Sequence, residues 1–191
     1  MNRLLIGIIV FSVPHLFSMF APAQRDALKQ RLGEGPFKGL YSLISLVGLG
    51  LMVWGLIGTR AGPAAADLLY YPPDWTRHAT MLLVLLGFIA IGASHGKGYL
   101  KLWLQQPMSI GIALWSGGHL LANGKRADVF LFGTFFVLAL LDIVVSTVRG
   151  KIPVHEPRAR SDVIAVAVGF ALYAVFLFGF HPYVLNLPVV E

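Results

Sequence analysis

Residues 37–58 read FKGLYSLISLVGLGLMVWGLIG, a run of 22 residues with a single charged side chain, Lys38, at its start. A helix needs about 20 predominantly apolar residues to cross the hydrocarbon of a bilayer, so this stretch is long enough to span with some tilt. Five further runs of the same kind lie at 3–21, 78–95, 107–123, 127–148 and 162–181. The whole chain is 57% hydrophobic and only 13% charged over 191 residues, too little polar surface to cover a water-soluble fold. The reading is an all-α, polytopic transmembrane bundle of about six helices (five to six), forming one domain over residues 1–191. The run at 107–123 is short and contains Gly111, Gly117 and Gly118. It is expected to be a tilted or partly embedded helix. The 21 glycines are interleaved with Leu, Val, Ile and Phe, the mixture that lets membrane helices approach closely.

The basic residues fall between the apolar runs. Arg25, Lys29, Arg31, Lys38, Lys97, Lys101, Arg149, Lys151, Arg158 and Arg160 fall on one side of the membrane; Arg3, Arg60, Arg77, Lys125 and Arg126 fall on the other. The ten mark the cytoplasmic side, which puts both termini outside, in the periplasm if the membrane is a bacterial inner membrane. The net charge of +6 and pI of about 9.8 therefore describe topology, and no nucleic-acid partner is expected. The stretch 61–75, with Gly62-Pro63, Tyr70, Tyr71, Pro72, Pro73 and Trp75, becomes an outer loop with an aromatic interfacial belt. The first run resembles a signal peptide in its flanks, but Pro14 and His15 interrupt it and only Arg3 precedes it, so it is expected to remain in the membrane. The absence of cysteine excludes disulfides, iron–sulfur clusters, thiolate haem ligands and cysteine nucleophiles.

Metal chemistry is left to histidine and the carboxylates. His15 lies about 12 residues into the first helix, roughly 18 Å from its outer end, and His119 lies about as far from the inner end of the fourth, which runs the other way. The two axial heights agree within roughly 6 Å, so the pair can face one another near mid-membrane. Two imidazoles without a carboxylate cluster suit axial ligation of haem b better than zinc, which takes three or four convergent ligands. The plainer alternative is that each ring donates to a backbone carbonyl. His78, His95 and His181 fall near helix ends, and His155 lies in a loop. Asp142 is expected to pair with a basic residue such as Arg149 or to support a ligating imidazole. Arg25 and Arg31, with Lys29, recur at helical spacing and offer cations to haem propionates or to lipid phosphates. The glycines at 33, 35 and 39 mark a tight re-entry into the second span and do not form a phosphate loop.

Three strings carry a family resemblance: Pro14-His15-Leu-Phe17-Ser18; Arg31-Leu-Gly33-Glu34-Gly-Pro-Phe37-Lys-Gly39-Leu40-Tyr41-Ser42-Leu-Ile-Ser45; and Pro107-Met108 with Ala113-Leu-Trp115-Ser-Gly-Gly-His119-Leu-Leu-Ala122-Asn123-Gly124. They resemble the NnrU family from the first span through the fifth. The resemblance implies a bacterial inner-membrane protein linked to nitrite and nitric oxide reduction. The family is also similar to the plant 15-cis-zeta-carotene isomerase, a membrane haem b protein in which a redox change is tied to isomerising a polyene. Carried over by position, its motif histidines are His15 and His119, with His95 and His78 as alternates. The chain departs from the pattern at Gln106, where relatives often carry histidine before Pro-Met, and at Lys125, where an acidic residue is common. The function expected is haem b binding with redox-gated cis–trans isomerisation of a hydrophobic polyene. The alternatives are an accessory or sensor factor for nitric oxide reduction and, last, a membrane methyltransferase, for which no cofactor loop is evident.

Overall fold

A computed structural model describes residues 1–60 and 66–187. Gly62 and Pro63 of the expected outer loop lie outside the described residues. The chain is all-helical: α1 Asn2–Phe20, α2 Pro22–Leu32, α3 Glu34–Gly58, α4 Thr76–Ser94, α5 Tyr99–Leu104, α6 Pro107–Ala122, α7 Arg126–Val148 and α8 Ala159–Ala174, which continues as a π-helix over Val175–Val184. Among the described residues the only extended pairing is an isolated bridge between Leu68 and Lys125. Five segments are long and apolar enough to cross a membrane: α1, α3, α4, α7 and α8 with its continuation. The chain is a membrane protein. The short run at 107–123 forms α6, whose 16 residues rise about 24 Å, less than the roughly 30 Å of hydrocarbon.

The chain forms two compact units, one of Met1–Tyr70 with Lys125–Thr134 and the other of Tyr71–Gly124 with Phe135–Glu191. In the first, α1 packs on α3 through glycines. A Cβ on Gly7 would come within 2.6 Å of the Met52 nitrogen, one on Gly48 within 2.7 Å of the Phe11 nitrogen, and one on Gly55 would collide with the Leu4 backbone. Leu4 and Met52 are fully buried at this contact. Helix α1 runs through Pro14 without a break and ends at Ala21, after which Pro22 opens α2 at a position where its missing N–H costs nothing. Helix α2 buries no residue, and Gly33, at φ +86°, turns the chain into α3. Glu34 anchors that turn by pairing with Lys29 at 3.4 Å and Lys38 at 2.7 Å.

At the other end of α3, Arg60 faces Asp128 on α7 at 3.5 Å. The Asp128 side chain is 4% exposed, and among the described residues neither its Oδ1 nor the Arg60 Nε has a hydrogen-bond partner. Nearby, Asp67 holds Arg126 at 2.7 Å.

In the second unit α4 packs against both α6 and α8, again on glycine. Gly87 and Gly111 face each other's carbonyls, while Gly92 and Gly169 sit against Ala165 and Ile89. Across the α4 to α6 contact the Thr80 hydroxyl donates to the Gly118 carbonyl at 2.7 Å. Helix α6 also meets the later part of α7: Trp115 packs edge-on against Phe135, and Ser109 donates to Asp142 at 2.5 Å. Asp162, near the start of α8, accepts from the N–H groups of Tyr99 and Leu100 at 2.9 and 3.1 Å and so caps α5. Gly98 is required there, because any side chain would collide with that carboxylate. Asp162→Ala is expected to lower stability by about 1 kcal/mol, the usual worth of a side-chain cap, read as a lower unfolding midpoint in detergent.

The final helix runs past the expected end at residue 181. Pro182 lacks an N–H and its ring crowds the carbonyl four residues back, so a regular α-helix would break there. The backbone widens to the i→i+5 pattern instead and carries the helix on to Val184.

Candidate histidine site

The widened segment positions His181 in the second unit, where α6 presents His119 to it. The two ring centroids are 6.2 Å apart and the ring planes differ by 12°. His119 Nδ1 lies 2.8 Å from the Trp115 carbonyl, four residues back, and His181 Nδ1 lies 2.7 Å from the Phe176 carbonyl, five residues back in the π register. A carbonyl only accepts, so in each neutral ring the proton sits on Nδ1 and the lone pair on Nε2. The same contact also fixes the angle of each ring, as outer hydrogen bonds do for ligating histidines.

The wall around the pair is apolar. Thr80, Val84 and Phe88 from α4 and Tyr173, Phe176 and Leu177 from the last helix line a narrow cleft of about 60 Å³ with both histidines. Phe88 and Phe176 meet in a tilted contact at 5.2 Å, Trp115 lies 5.2 Å from His119, and Phe180 stands edge-on to His181 at 6.1 Å. Such packing holds both imidazoles in single rotamers.

His15 belongs to the first unit. Its Nδ1 lies 2.7 Å from the Phe11 carbonyl, and its ring stacks on Phe11 at 4.2 Å and meets Tyr41 of α3 at 5.3 Å. It therefore carries the same tautomer as the other pair. Arg25, also in the first unit, pairs with Asp26 at 2.8 Å and donates to the Ser18 carbonyl at 3.4 Å, while Arg31 lies exposed in the last turn of α2. The partner that the structure sets beside His119 is thus His181, which its proximity to the end of an apolar run had removed from consideration. His78 sits in the first turn of α4 and His95 at its C-terminal end. His155 donates through Nε2 to the Gly98 carbonyl at 3.1 Å, a loop tether.

Asp142 takes its hydrogen bond from Ser109. The Gln106 amide lies 3.1 Å from the Thr147 hydroxyl on α7. Gln106 occupies the N-cap position of α6 without a side-chain capping bond, 13 residues and about 20 Å along the axis from His119, so it is a tie between helices away from the imidazole pair. Among the described residues no three His, Asp or Glu side chains converge as a metal site would need. What the second unit offers is a two-imidazole site in an apolar wall.

No curated protein and no solved structure matches this chain. A family model described as NnrU protein matches residues 3–189, so the chain belongs to the NnrU family.

Proposed function

We propose that this protein binds haem b, which the Nε2 atoms of His119 and His181 would hold. The observation that carries the reading is the ring pair itself. To hold one iron between them through Nε2, two imidazoles need rings only a few ångströms apart. The observed 6.2 Å and near-parallel planes fit that requirement, and so do the two Nδ1 contacts, which leave the lone pairs on the correct nitrogens. The apolar lining suits a flat, largely apolar macrocycle.

The activity proposed is redox-gated cis–trans isomerisation of a hydrophobic polyene in a bacterial inner membrane, with both termini periplasmic. Haem held there would supply the redox chemistry. The chain supplies the rest. Trp115 and Phe176 carbonyls orient the imidazoles, and Val84, Phe88 and Leu177 exclude water and offer a polyene an apolar surface. His15, with the same tautomer and its Tyr41 and Phe11 neighbours, is the reserve imidazole of the first unit.

Purified protein should show a b-type visible spectrum that sharpens on addition of dithionite, and the reduced form should convert a cis-polyene to its trans isomer. Absence of the spectrum in haem-replete protein would end the reading. A haem spectrum with nitric oxide binding and no polyene turnover would keep the site but assign the protein to sensing or assisting nitric oxide reduction.

A further inference from the structure

Beyond their glycine contacts, α4 and α8 flank an open groove of about 570 Å³. Most of its length is apolar. Ile91 comes from α4, and Ile164, Val168 and Leu172 follow one another at four-residue spacing on α8, a stripe roughly 12 Å long. One end is polar. There His95 closes α4 and Ser161 stands in the first turn of α8. Gly96 keeps the two chains close, since a Cβ on it would meet the Ser161 Cβ at 3.2 Å. The His95 ring is exposed and the Ser161 hydroxyl is half-buried, and among the described residues neither makes a hydrogen bond within the protein, so both are open to a ligand or to solvent.

We propose that this groove binds a membrane-dissolved isoprenoid quinone, with the ring at His95 and Ser161 and the tail along Ile164, Val168 and Leu172. Both polar side chains can donate a hydrogen bond, so they recognise an acceptor, and a quinone carbonyl is one. No Lys or Arg lines the groove, which leaves a phosphate headgroup without a counter-charge inside it. The apolar stripe has the straight, narrow form of a prenyl tail. Ile164 and Val168 are half exposed, so a ligand dissolved in the bilayer reaches the groove sideways without crossing water. The proposal stands apart from the haem reading and is tested without haem.

The test is a titration of haem-free protein in phosphatidylcholine nanodiscs with a decyl-tailed benzoquinone, followed by quenching of tryptophan fluorescence. Saturable binding is expected, weakened about tenfold by His95→Phe and by Ser161→Ala, the usual cost of losing one hydrogen bond to a bound carbonyl. Val168→Trp should block the tail. Unchanged unfolding midpoints of the two headgroup variants separate lost contacts from lost fold. Quinone binding that is undiminished in the His95→Phe, Ser161→Ala double variant overturns the proposal. So does displacement of the quinone by an equal concentration of methyl dodecanoate, which has the tail and a carbonyl but no ring, because the groove would then hold any acyl chain.

Discussion

His181→Ala is expected to remove the low-spin b-type spectrum as completely as His119→Ala does, while His15→Ala leaves it in place. Each alanine takes away one ring of a pair whose centroids stand 6.2 Å apart, and neither remaining ring can reach across to replace it. The carbonyls of Trp115 and Phe176 tether their own rings from within the same helix, so each ring lacks the freedom to compensate for the other. Free imidazole is expected to restore the spectrum in either variant by occupying the vacated volume. That rescue distinguishes a lost ligand from a damaged fold. A His181→Ala protein with the full wild-type spectrum would refute ligation by His181, and equal loss in His15→Ala would bring the first unit's imidazole into the coordination set.

The second large effect concerns the first unit and is a matter of stability. Asp128→Ala should lower the unfolding free energy by about 3 kcal/mol, because it leaves the Arg60 guanidinium, whose side chain is 21% exposed, without its counter-charge. The pair sits at 3.5 Å with the carboxylate almost wholly buried, and one nitrogen and one oxygen of it are unsatisfied, so the surroundings do little to compensate for either charge alone. Replacing both partners by apolar residues of similar size, Asp128→Leu with Arg60→Met, should recover most of the loss. Thermal unfolding in detergent of the two single variants and the double variant measures this. A single Asp128→Ala variant as stable as wild type would show that solvent reaches the pair.

The spans were legible because hydrocarbon imposes one rule on every residue of a crossing helix. Each of the six apolar runs forms a helix within a few residues of its expected bounds, and the doubtful one, at 107–123, is the helix that falls short of a full span. Polar pieces were less visible. Helix α2 buries nothing and α5 has six residues, so neither carries an apolar period strong enough to announce it, although the helical spacing of Arg25, Lys29 and Arg31 hinted at the first.

The site divides along the same line. His119 stood out because an imidazole within an apolar run must have a reason to be there. His181 was set aside because residue 181 was taken as the end of the last helix. Its signal was the proline that follows: had Pro182 been read as widening the helix, His181 would have counted as an interior residue.

Composition and the length of the apolar runs alone determined that this chain lies in a membrane as helices, because a backbone without water must satisfy its own hydrogen bonds, and the motif strings determined its family. Only the tertiary structure decided that His119 meets His181. Register along one helix follows from local sequence, but which ring on another helix comes to face it depends on where glycines let α4 approach α6 and α8, and on a π-helical widening that shifts His181 around its axis.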